Sequence, residues 1–175
     1  LNRTVAFLGT GGDDILIGTT AGEAFNAMLG NDEQHGAGGS DTYHFGVGYG
    51  SDQIIDIGVD SDSDRLELID LIPADIRLGR IGDDLHVERL GGVDHLRIVN
   101  HFQSQETGIE QMVFANGEIW DRAMMEAQSV FLGTSGNDIL IGTSDTDTCL
   151  SSPGNDTFDG QNGNDTYFYK SGNGN

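Results

Sequence analysis

Acidic residues spaced nine positions apart are the feature of this sequence that most limits its fold. They form one series near the start of the chain and another near its end: Asp14, Glu23, Asp32 and Asp41, then Asp138, Asp147, Asp156 and Asp165. Glycines precede most of these acids, and a large apolar residue usually follows two places later. A flexible linker has no reason to keep such a frame, so the pattern predicts repeated turns and short strands rather than a disordered tract.

This frame resembles the glycine-rich nonapeptide repeat of the RTX proteins, which binds calcium and folds into a parallel β-roll. Its clearest copies are residues 133–141 and 160–168, with the acid at position 6 of each repeat. In such a roll two repeats complete one coil, so turns that are two repeats apart stack on the same side. The resemblance therefore implies that acids one coil apart share an ion: Asp14 with Asp32, Glu23 with Asp41, Asp138 with Asp156, and Asp147 with Asp165.

Calcium suits stacked turns because it takes about six to eight oxygen ligands, more than one turn offers. Glycine enters left-handed conformations that cost other residues a steric clash, so the carbonyls of the turn can converge on one point. Asp52 follows Asp41 by slightly more than one repeat and is expected to close a last site with Asp32. The main-chain carbonyl candidates are Gly9, Gly12, Gly39, Gly133, Gly136, Gly154, Gly160 and Gly163.

Position 8 of each repeat is expected to point inward, which leaves a thin core of one side chain per repeat. These residues are Leu16, Phe25, Gln34, Tyr43 and Ile54 in the first block and Leu140, Cys149, Phe158 and Tyr167 in the second. Ordering one residue costs about 1–2 kcal/mol, whereas burying one Leu or Phe returns about 1.5–3 kcal/mol. Calcium is therefore expected to supply much of the folding free energy, and without it the repeats are expected to be largely unfolded.

The composition is strongly acidic, with a formal net charge of −21 and a sequence pI of about 4.1. This charge argues against binding to nucleic acid or to an anionic membrane surface. The single cysteine, Cys149, excludes an internal disulfide and is expected to pack inward. No stretch reaches the roughly 18 apolar residues that span a bilayer, and no N-terminal signal peptide is visible.

Residues 59–128 differ in character, with less glycine and more Leu, Ile, Val and Arg. Alternating apolar residues predict half-buried strands at 65–68, 76–78, 85–88 and 95–98. Asn116 and Gly117 predict the turn of a hairpin, and Asp121 predicts the N-cap of a short helix. We therefore predict a small antiparallel β insert with one short helix.

The insert resembles the haemolysin-type calcium-binding-related domain, which lies between RTX blocks in large secreted bacterial proteins. The residues that carry this resemblance are Asp64-Arg-Leu, Ala74-Asp-Ile76, Gly82-Asp-Asp-Leu85, Ile109-Glu110 and Phe114-Ala-Asn-Gly. Together the two resemblances imply an all-β chain with parallel β-rolls at 1–58 and 129–175 and the insert at 59–128. They also imply type I secretion of an unfolded chain that folds outside the cell, where calcium modules bind at roughly 10⁻⁴–10⁻³ M.

The sequence also matches itself when residue 7 is placed on residue 131. Residues 7–19 align with 131–143 without a gap, and Asp-Thr-Tyr at 41–43 aligns with the same tripeptide at 165–167. This duplication predicts that the parent protein is a tandem array of units, each with one roll and one insert. Neighbouring units of the parent chain are therefore predicted partners.

Several positions of the first block depart from the frame, so its middle sites are expected to be weaker than those of the second block. Ala21 replaces the glycine of position 4, and Glu23 is longer than the usual aspartate. Ala27 and Met28 stand where two glycines are expected.

No catalytic arrangement is recognisable, so we predict that this chain is not an enzyme. The pairs Asp13/Asp14 and Asp83/Asp84 are better explained as turn residues and calcium ligands than as a catalytic dyad. His86 and His95 are expected on a solvated sheet face. No metal-binding spacing joins the five histidines, which are His35, His44, His86, His95 and His101.

The sequence leaves three functions open. The first is a structural repeat module of a larger secreted bacterial protein that folds on calcium binding. The second is a calcium-dependent accessory or secretion block of a secreted enzyme or toxin. The third is an adhesin module that binds carbohydrate or a cell surface. Flanking sequence separates the first two, and glycan binding by this chain tests the third.

Overall fold

The computed structural model describes residues 4–58 and 62–170, and within them the chain is mostly β, with 17 strands and one short α-helix. The predicted all-β class is therefore confirmed. The elements, in chain order, are β1 (Val5–Leu8), β2 (Ile15–Ile17), β3 (Glu23–Asn26), β4 (Glu33–His35), β5 (Thr42–Phe45), β6 (Ser51–Ile55), β7 (Arg65–Leu68), β8 (Ile76–Ile81), β9 (Asp84–Arg89), β10 (His95–Ile98), β11 (Gln111–Phe114), β12 (Ile119–Asp121), α1 (Arg122–Gln128), β13 (Ser129–Leu132), β14 (Ile139–Ile141), β15 (Thr148–Leu150), β16 (Thr157–Asp159) and β17 (Thr166–Phe168).

Strands that are two repeats apart pair in parallel within each repeat block, as the nonapeptide frame predicts. In the first block β1, β3 and β5 form one layer, in which Val5 lies opposite Glu23 and Ala24 opposite Thr42. The strands between them, β2, β4 and β6, form the other layer. The second block repeats this arrangement, with β13, β15 and β17 in one layer and β14 and β16 in the other. Alternate turns therefore lie on opposite sides of each block.

The insert is not the small antiparallel unit that the sequence predicts. Its strands β7, β8, β10 and β11 each have a parallel partner, and antiparallel pairing joins only β8 to β9, β9 to β10 and β11 to β12 among the described strands. The strand order of the first sheet is β1-β3-β5-β7-β11-β12, and that of the second is β17-β15-β13-β8-β9-β10-β6-β4-β2.

Two mixed sheets therefore run through the insert rather than stopping at it. The physical reason is that the last strand of a block leaves a row of unpaired N–H and C=O groups, which another strand can satisfy. The expected boundary at residue 59 lies outside the described residues, and the division into three domains stays a prediction.

The local predictions within the insert are confirmed. Strands occupy all four predicted positions, and β11 and β12 form the expected hairpin, with Gly117 at a φ of +85° in its turn. Asp121 caps α1, because its carboxylate accepts a hydrogen bond from the N–H of Met124 at 2.8 Å.

One large core joins the first repeat block to the insert. Inside the block the rings of Phe7, Phe25 and Tyr43 stack on each other, with centroids 5.2 and 5.1 Å apart. Phe25 and Tyr43 belong to a buried cluster that continues into the insert through residues such as Leu66 and Leu96, and Phe7 packs against it. The first block therefore shares the apolar core of the insert. Its core is larger than the one side chain per repeat that the sequence predicts.

The second block has a much smaller core, which consists of Phe131, Leu140 and Cys149 with Phe158 packed against it. Cys149 points inward as predicted, and burial raises the pKa of its thiol to about 11. Tyr167 does not follow the prediction, because it is 47 % exposed in the last described strand. This difference makes the second block the part that depends most on another source of stability.

Three position-2 residues, Met28, Ala37 and Gln161, adopt left-handed φ values of 71°, 73° and 60°. We expect Ala37→Gly to stabilise the protein, because this conformation costs a non-glycine residue about 1–2 kcal/mol and the Ala37 side chain is exposed. The extra freedom of glycine in the unfolded chain costs about 0.4–1 kcal/mol, so the net gain is about 0.5–1 kcal/mol. Denaturant unfolding in saturating calcium measures it.

Ala21→Gly is the matched control for this substitution. Ala21 also replaces a glycine of the frame and is also exposed, but its φ is not positive. This control is expected to lose about 0.4–1 kcal/mol. Equal effects of the two substitutions would show that backbone strain at residue 37 is not the cause.

Candidate metal centre

A row of acids lies along one side of the first block, and a hydrogen bond joins each member to the next. The N–H of Asp14 donates to Oδ1 of Asp32 at 2.8 Å, and the N–H of Asp32 donates to Oδ1 of Asp52 at 2.9 Å. The predicted contact between Asp52 and Asp32 is therefore present. We call Asp14, Asp32 and Asp52 the first acid row.

The second acid row lies on the opposite side and extends into the insert. The N–H of Glu23 donates to Oδ1 of Asp41 at 2.7 Å, that of Asp41 to Oδ1 of Asp64 at 2.8 Å, and that of Asp64 to Oε2 of Glu110 at 2.7 Å. Sequence reasoning found Glu23 and Asp41 but missed Asp64 and Glu110 as members of this row.

The second block forms the same contacts. The N–H of Asp138 donates to Oδ1 of Asp156, and the N–H of Asp147 donates to Oδ1 of Asp165, both at 3.1 Å. All four predicted pairs of acids are thus brought together, although the binding of calcium by them stays a prediction.

The turns that carry the acids are of two kinds. In the first kind, position 2 is Thr or Ser, and its N–H caps the second carboxylate oxygen of the acid, as Thr10 does for Asp14 at 2.6 Å. The same contact joins Thr19 to Glu23, Thr134 to Asp138, Thr143 to Asp147 and Ser152 to Asp156.

In the second kind, position 2 is left-handed, as in Met28 and Ala37, and no such cap forms. Oδ2 of Asp32 and Oδ2 of Asp41 are then buried without a hydrogen-bond partner among the described residues. These free oxygens are available to an ion.

The predicted glycines lie where the turns of successive coils touch. A Cβ at Gly154 would lie 2.0 Å from the carbonyl oxygen of Gly136, so only glycine allows that carbonyl so close to the next turn. The carbonyl oxygen of Gly12 faces the next turn as that of Gly136 does. Gly9, Gly39 and Gly163 each lie against a main-chain carbonyl one coil away. Gly133 and Gly160 lie beside the carboxylates of Asp138 and Asp165.

The central acid site consists of Asp41, Asp56 and Asp64, whose nearest carboxylate oxygens all lie within 4.8 Å of one another. The three side chains are almost fully buried, with 1 %, 1 % and 3 % of their surface exposed. Tyr43 donates its hydroxyl to Oδ2 of Asp56 at 2.5 Å. Oδ2 of Asp41 and Oδ1 of Asp56 have no hydrogen-bond partner among the described residues.

This site carries an electrostatic cost that the described protein groups do not offset. Burial raises the pKa of each of the three carboxyls to about 7, and neighbouring carboxylates add to the effect. The charges that act on them belong to acids, namely Asp62, Glu23 and Glu110 as well as each other. A buried acid without a cation stays protonated or acquires one, so this geometry favours a bound divalent ion.

One arginine of the insert lies at the end of the second acid row, and another pairs with Asp94, which lies near the end of the first row. Glu110, the last member of the second row, pairs with Arg122 at 3.2 Å. Beyond Asp52, the carboxylate of Asp94 accepts from the N–H groups of Gly48 and Gly50 and pairs with Arg89 at 3.0 Å. Although burial opposes it, these donors hold the pKa of Asp94 below its usual value. The insert thus pairs the last carboxylate of the second row with an arginine, whereas only acids act electrostatically on the three carboxyls of the central acid site among the described residues.

Asp64 has a sequence signal that could have revealed it. It lies further from Asp41 than one coil of two repeats would place it, yet it has an apolar residue two places later, the fully buried Leu66. It is therefore a position-6 acid displaced by a short insertion. Asp56 has no comparable signal, since it directly follows β6, a strand in which alternating polar residues are ordinary.

The histidine pair of the insert is a weaker candidate. Nδ1 of His86 and Nε2 of His95 lie 2.8 Å apart, and burial together with His95 lowers the pKa of His86 to about 4. The two rings are half-buried rather than fully solvated as predicted. Among the described residues, the central acid site is the only group of three His, Cys, Asp or Glu ligands close enough to hold one metal ion.

Part of the insert matches a known protein domain family. Residues 84–124 match the haemolysin-type calcium binding protein related domain, which covers β9 to β12 and the start of α1. No curated protein matches the chain. In the described part, no helix is long and apolar enough to cross a membrane. The match supports the resemblance to RTX-type proteins and indicates a calcium-binding module.

Proposed function

We propose that this chain is a calcium-binding structural module whose two repeat blocks are β-rolls with ions held between successive turns. The observation that carries the proposal is the central acid site, where three buried carboxylates lie together with two oxygens unpartnered among the described residues. The domain match at 84–124 supports the same conclusion independently.

The chemistry of the site favours calcium over transition metals. Its ligands are carboxylate oxygens, with no His or Cys in the group. Hard oxygen ligands suit Ca²⁺ and Mg²⁺, whereas imidazole and thiolate suit zinc and copper. Carbonyls crowded between stacked turns can bring the coordination number to the six to eight that calcium takes, beyond the octahedral limit of magnesium.

We further propose that the module acts outside the cell as part of a larger secreted bacterial protein. A net charge of −21 opposes compaction of the ion-free chain. Extracellular calcium modules bind at roughly 10⁻⁴–10⁻³ M, so such a chain folds where calcium is abundant and stays open where it is scarce. The role is that of a scaffold without catalysis, exported by type I secretion.

Asp56→Asn tests the central acid site. We expect the calcium stoichiometry to fall by one, because the variant keeps the acceptor for Tyr43 but removes a charged ligand. A site held at 100 times its Kd stabilises by about 2.7 kcal/mol, and this gain is lost. Without calcium the variant is expected to be as stable as the parent or more stable, because it buries one acid fewer. Isothermal calorimetry and thermal unfolding with and without calcium measure both effects.

Asp83→Asn is the matched control, since Asp83 is an exposed turn residue with a single long ion pair to Arg80 at 3.7 Å. It should bind as many ions as the parent. If Asp56→Asn also kept the full stoichiometry, the central acid site would not be a calcium site. If Asp56→Asn destabilised the protein equally with and without calcium, the role of Asp56 would be structural.

A further inference from the structure

The internal duplication of the sequence places β13 on β1. Val5–Leu8 aligns with Ser129–Leu132, so the two strands occupy the same position in their repeat blocks. Each pairs in parallel with the strand one coil later, β1 with β3 and β13 with β15. A difference in burial between β1 and β13 is therefore attributed to what lies along the opposite edge of each strand.

Their other sides differ. β13 is also paired in parallel with β8 of the insert, with Ser129 opposite Leu78, Val130 opposite Gly79 and Phe131 opposite Arg80. In contrast, β1 is the edge of the six-stranded sheet.

The burial of the two strands follows this difference. All four residues of β13 are buried or half-buried, whereas three of the four in β1 are exposed. Val5 and Leu8 are 55 % and 63 % exposed. An apolar edge of this kind is a ready template for another strand.

Specific contacts of β8 explain how it accepts β13. Leu132 lies over Gly79, where an added Cβ would come within 2.4 Å of Leu132 Cδ1. The guanidinium of Arg80 lies 5.3 Å from the ring centroid of Phe131, a cation–π contact. The residues of β1 at these places are Leu8 and Phe7, so β1 carries the same two side chains.

We propose that the free edge of β1 is the docking edge for the strand equivalent to β8 in a preceding copy of this unit. The register is that of β13, with Val5 opposite residue 78 of that copy, Ala6 opposite 79 and Phe7 opposite 80. The insert of one unit thereby starts the roll of the next, and the contact is head-to-tail. Since β9 occupies one edge of β8, each copy of β8 can pair with only one successor strand, so one unit accepts one successor.

The test uses a double-length chain in which residues 1–128 are joined to residues 5–175, so that Val5 of the second copy follows Gln128. Hydrogen exchange in saturating calcium is followed for the Val5–Leu8 peptide of each copy and of the single chain. We expect exchange in the second copy to slow at least about tenfold, while the first copy exchanges as in the single chain. Equal exchange in all three would overturn the proposal.

Gly79→Leu in the first copy alone is the specific variant, because the added side chain occupies the place of Leu8 of the second copy. Protection of the second β1 should then disappear, while β13 at the end of the chain keeps its protection and reports that the second copy is folded. Persistent protection of the second β1 would show that it does not lie on Gly79.

The single chain provides an independent arm. Its β8 is already paired with β13, so sedimentation is expected to show a monomer. A dimer that Ala6→Pro disperses would assign the edge to a second molecule paired through β1 and would contradict the proposal. None of these outcomes depends on which acids bind calcium, so the inference can fail while the proposed function stands.

Discussion

Chelation of calcium is expected to unfold the second repeat block completely while the insert keeps part of its structure. The two regions differ in how much apolar surface holds them. Three buried apolar residues, Phe131, Leu140 and Cys149, form the core of the second block. The first block and the insert share a core of 17 buried residues.

The size of the effect follows from mass action. Three sites held at 100 times their Kd contribute about 8 kcal/mol together, and an ordinary domain has a total stability of about 5–15 kcal/mol. Loss of the ions also restores repulsion among stacked carboxylates such as Asp147 and Asp165, which lie on successive turns. The small apolar core of the second block cannot offset this loss of folding free energy.

Hydrogen exchange in calcium and in excess chelator measures this prediction by region. Residues 133–170 should lose all protection in chelator, and β9 to β11 should retain some. Magnesium in place of calcium is the control for ionic strength and should not restore the second block. Unchanged protection of β14 to β17 in chelator would contradict the role given to calcium.

Local features of the fold could be predicted from the sequence because they depend on neighbours along the chain. Alternation of apolar residues located β7 to β10, and the Asn116–Gly117 turn located the β11–β12 hairpin. The nonapeptide frame also predicted the pairing of strands that are two repeats apart.

The continuity of the sheets could not be predicted in this way. Periodicity shows which face of a strand is buried, but it carries no information on which distant edge the strand joins. The parallel pairing of β8 with β13 and of β6 with β10 therefore required the structure. As a result, the sequence suggested a separate antiparallel unit, although the insert completes both sheets.

The same limit applies to the central acid site. Asp41 could be predicted because it keeps the nonapeptide frame. Asp56 and Asp64 join the central acid site because they flank the connection between β6 and β7, which brings them beside β5. Tyr43 is hydrogen-bonded to Asp56 and Asp41 to Asp64, at two unequal sequence separations, neither of which equals one coil of two repeats. A constellation assembled across an irregular loop leaves no fixed spacing in the sequence.

Gly36→Ala is expected to have the largest effect of any single substitution near the central acid site. Gly36 is buried, and a Cβ there would lie 2.0 Å from the hydroxyl of Tyr43 and 2.6 Å from Oδ2 of Asp41 and of Asp56. The methyl group would therefore displace two proposed calcium ligands and the hydrogen bond that orients one of them. Overpacking costs about 1–3 kcal/mol, and the lost site costs about 2.7 kcal/mol more at 100 times its Kd.

Calorimetry and denaturant unfolding in calcium measure the two parts of this loss, and Gly11→Ala is the matched control. Gly11 is also a turn glycine of the first block, but a Cβ there meets nothing within 4 Å. The control should therefore retain every ion and be at least as stable as the parent, since alanine restricts the unfolded chain by about 0.4–1 kcal/mol.

The double variant Gly36→Ala with Tyr43→Phe separates the two causes of that loss. Removal of the hydroxyl relieves the closest clash, so part of the stability should return. The lost ion should not return, because the methyl group still lies against the carboxylates of Asp41 and Asp56. Recovery of the full calcium stoichiometry would mean that the hydroxyl clash alone displaced the ion, and that the space beside Gly36 is not where the two carboxylates bind it.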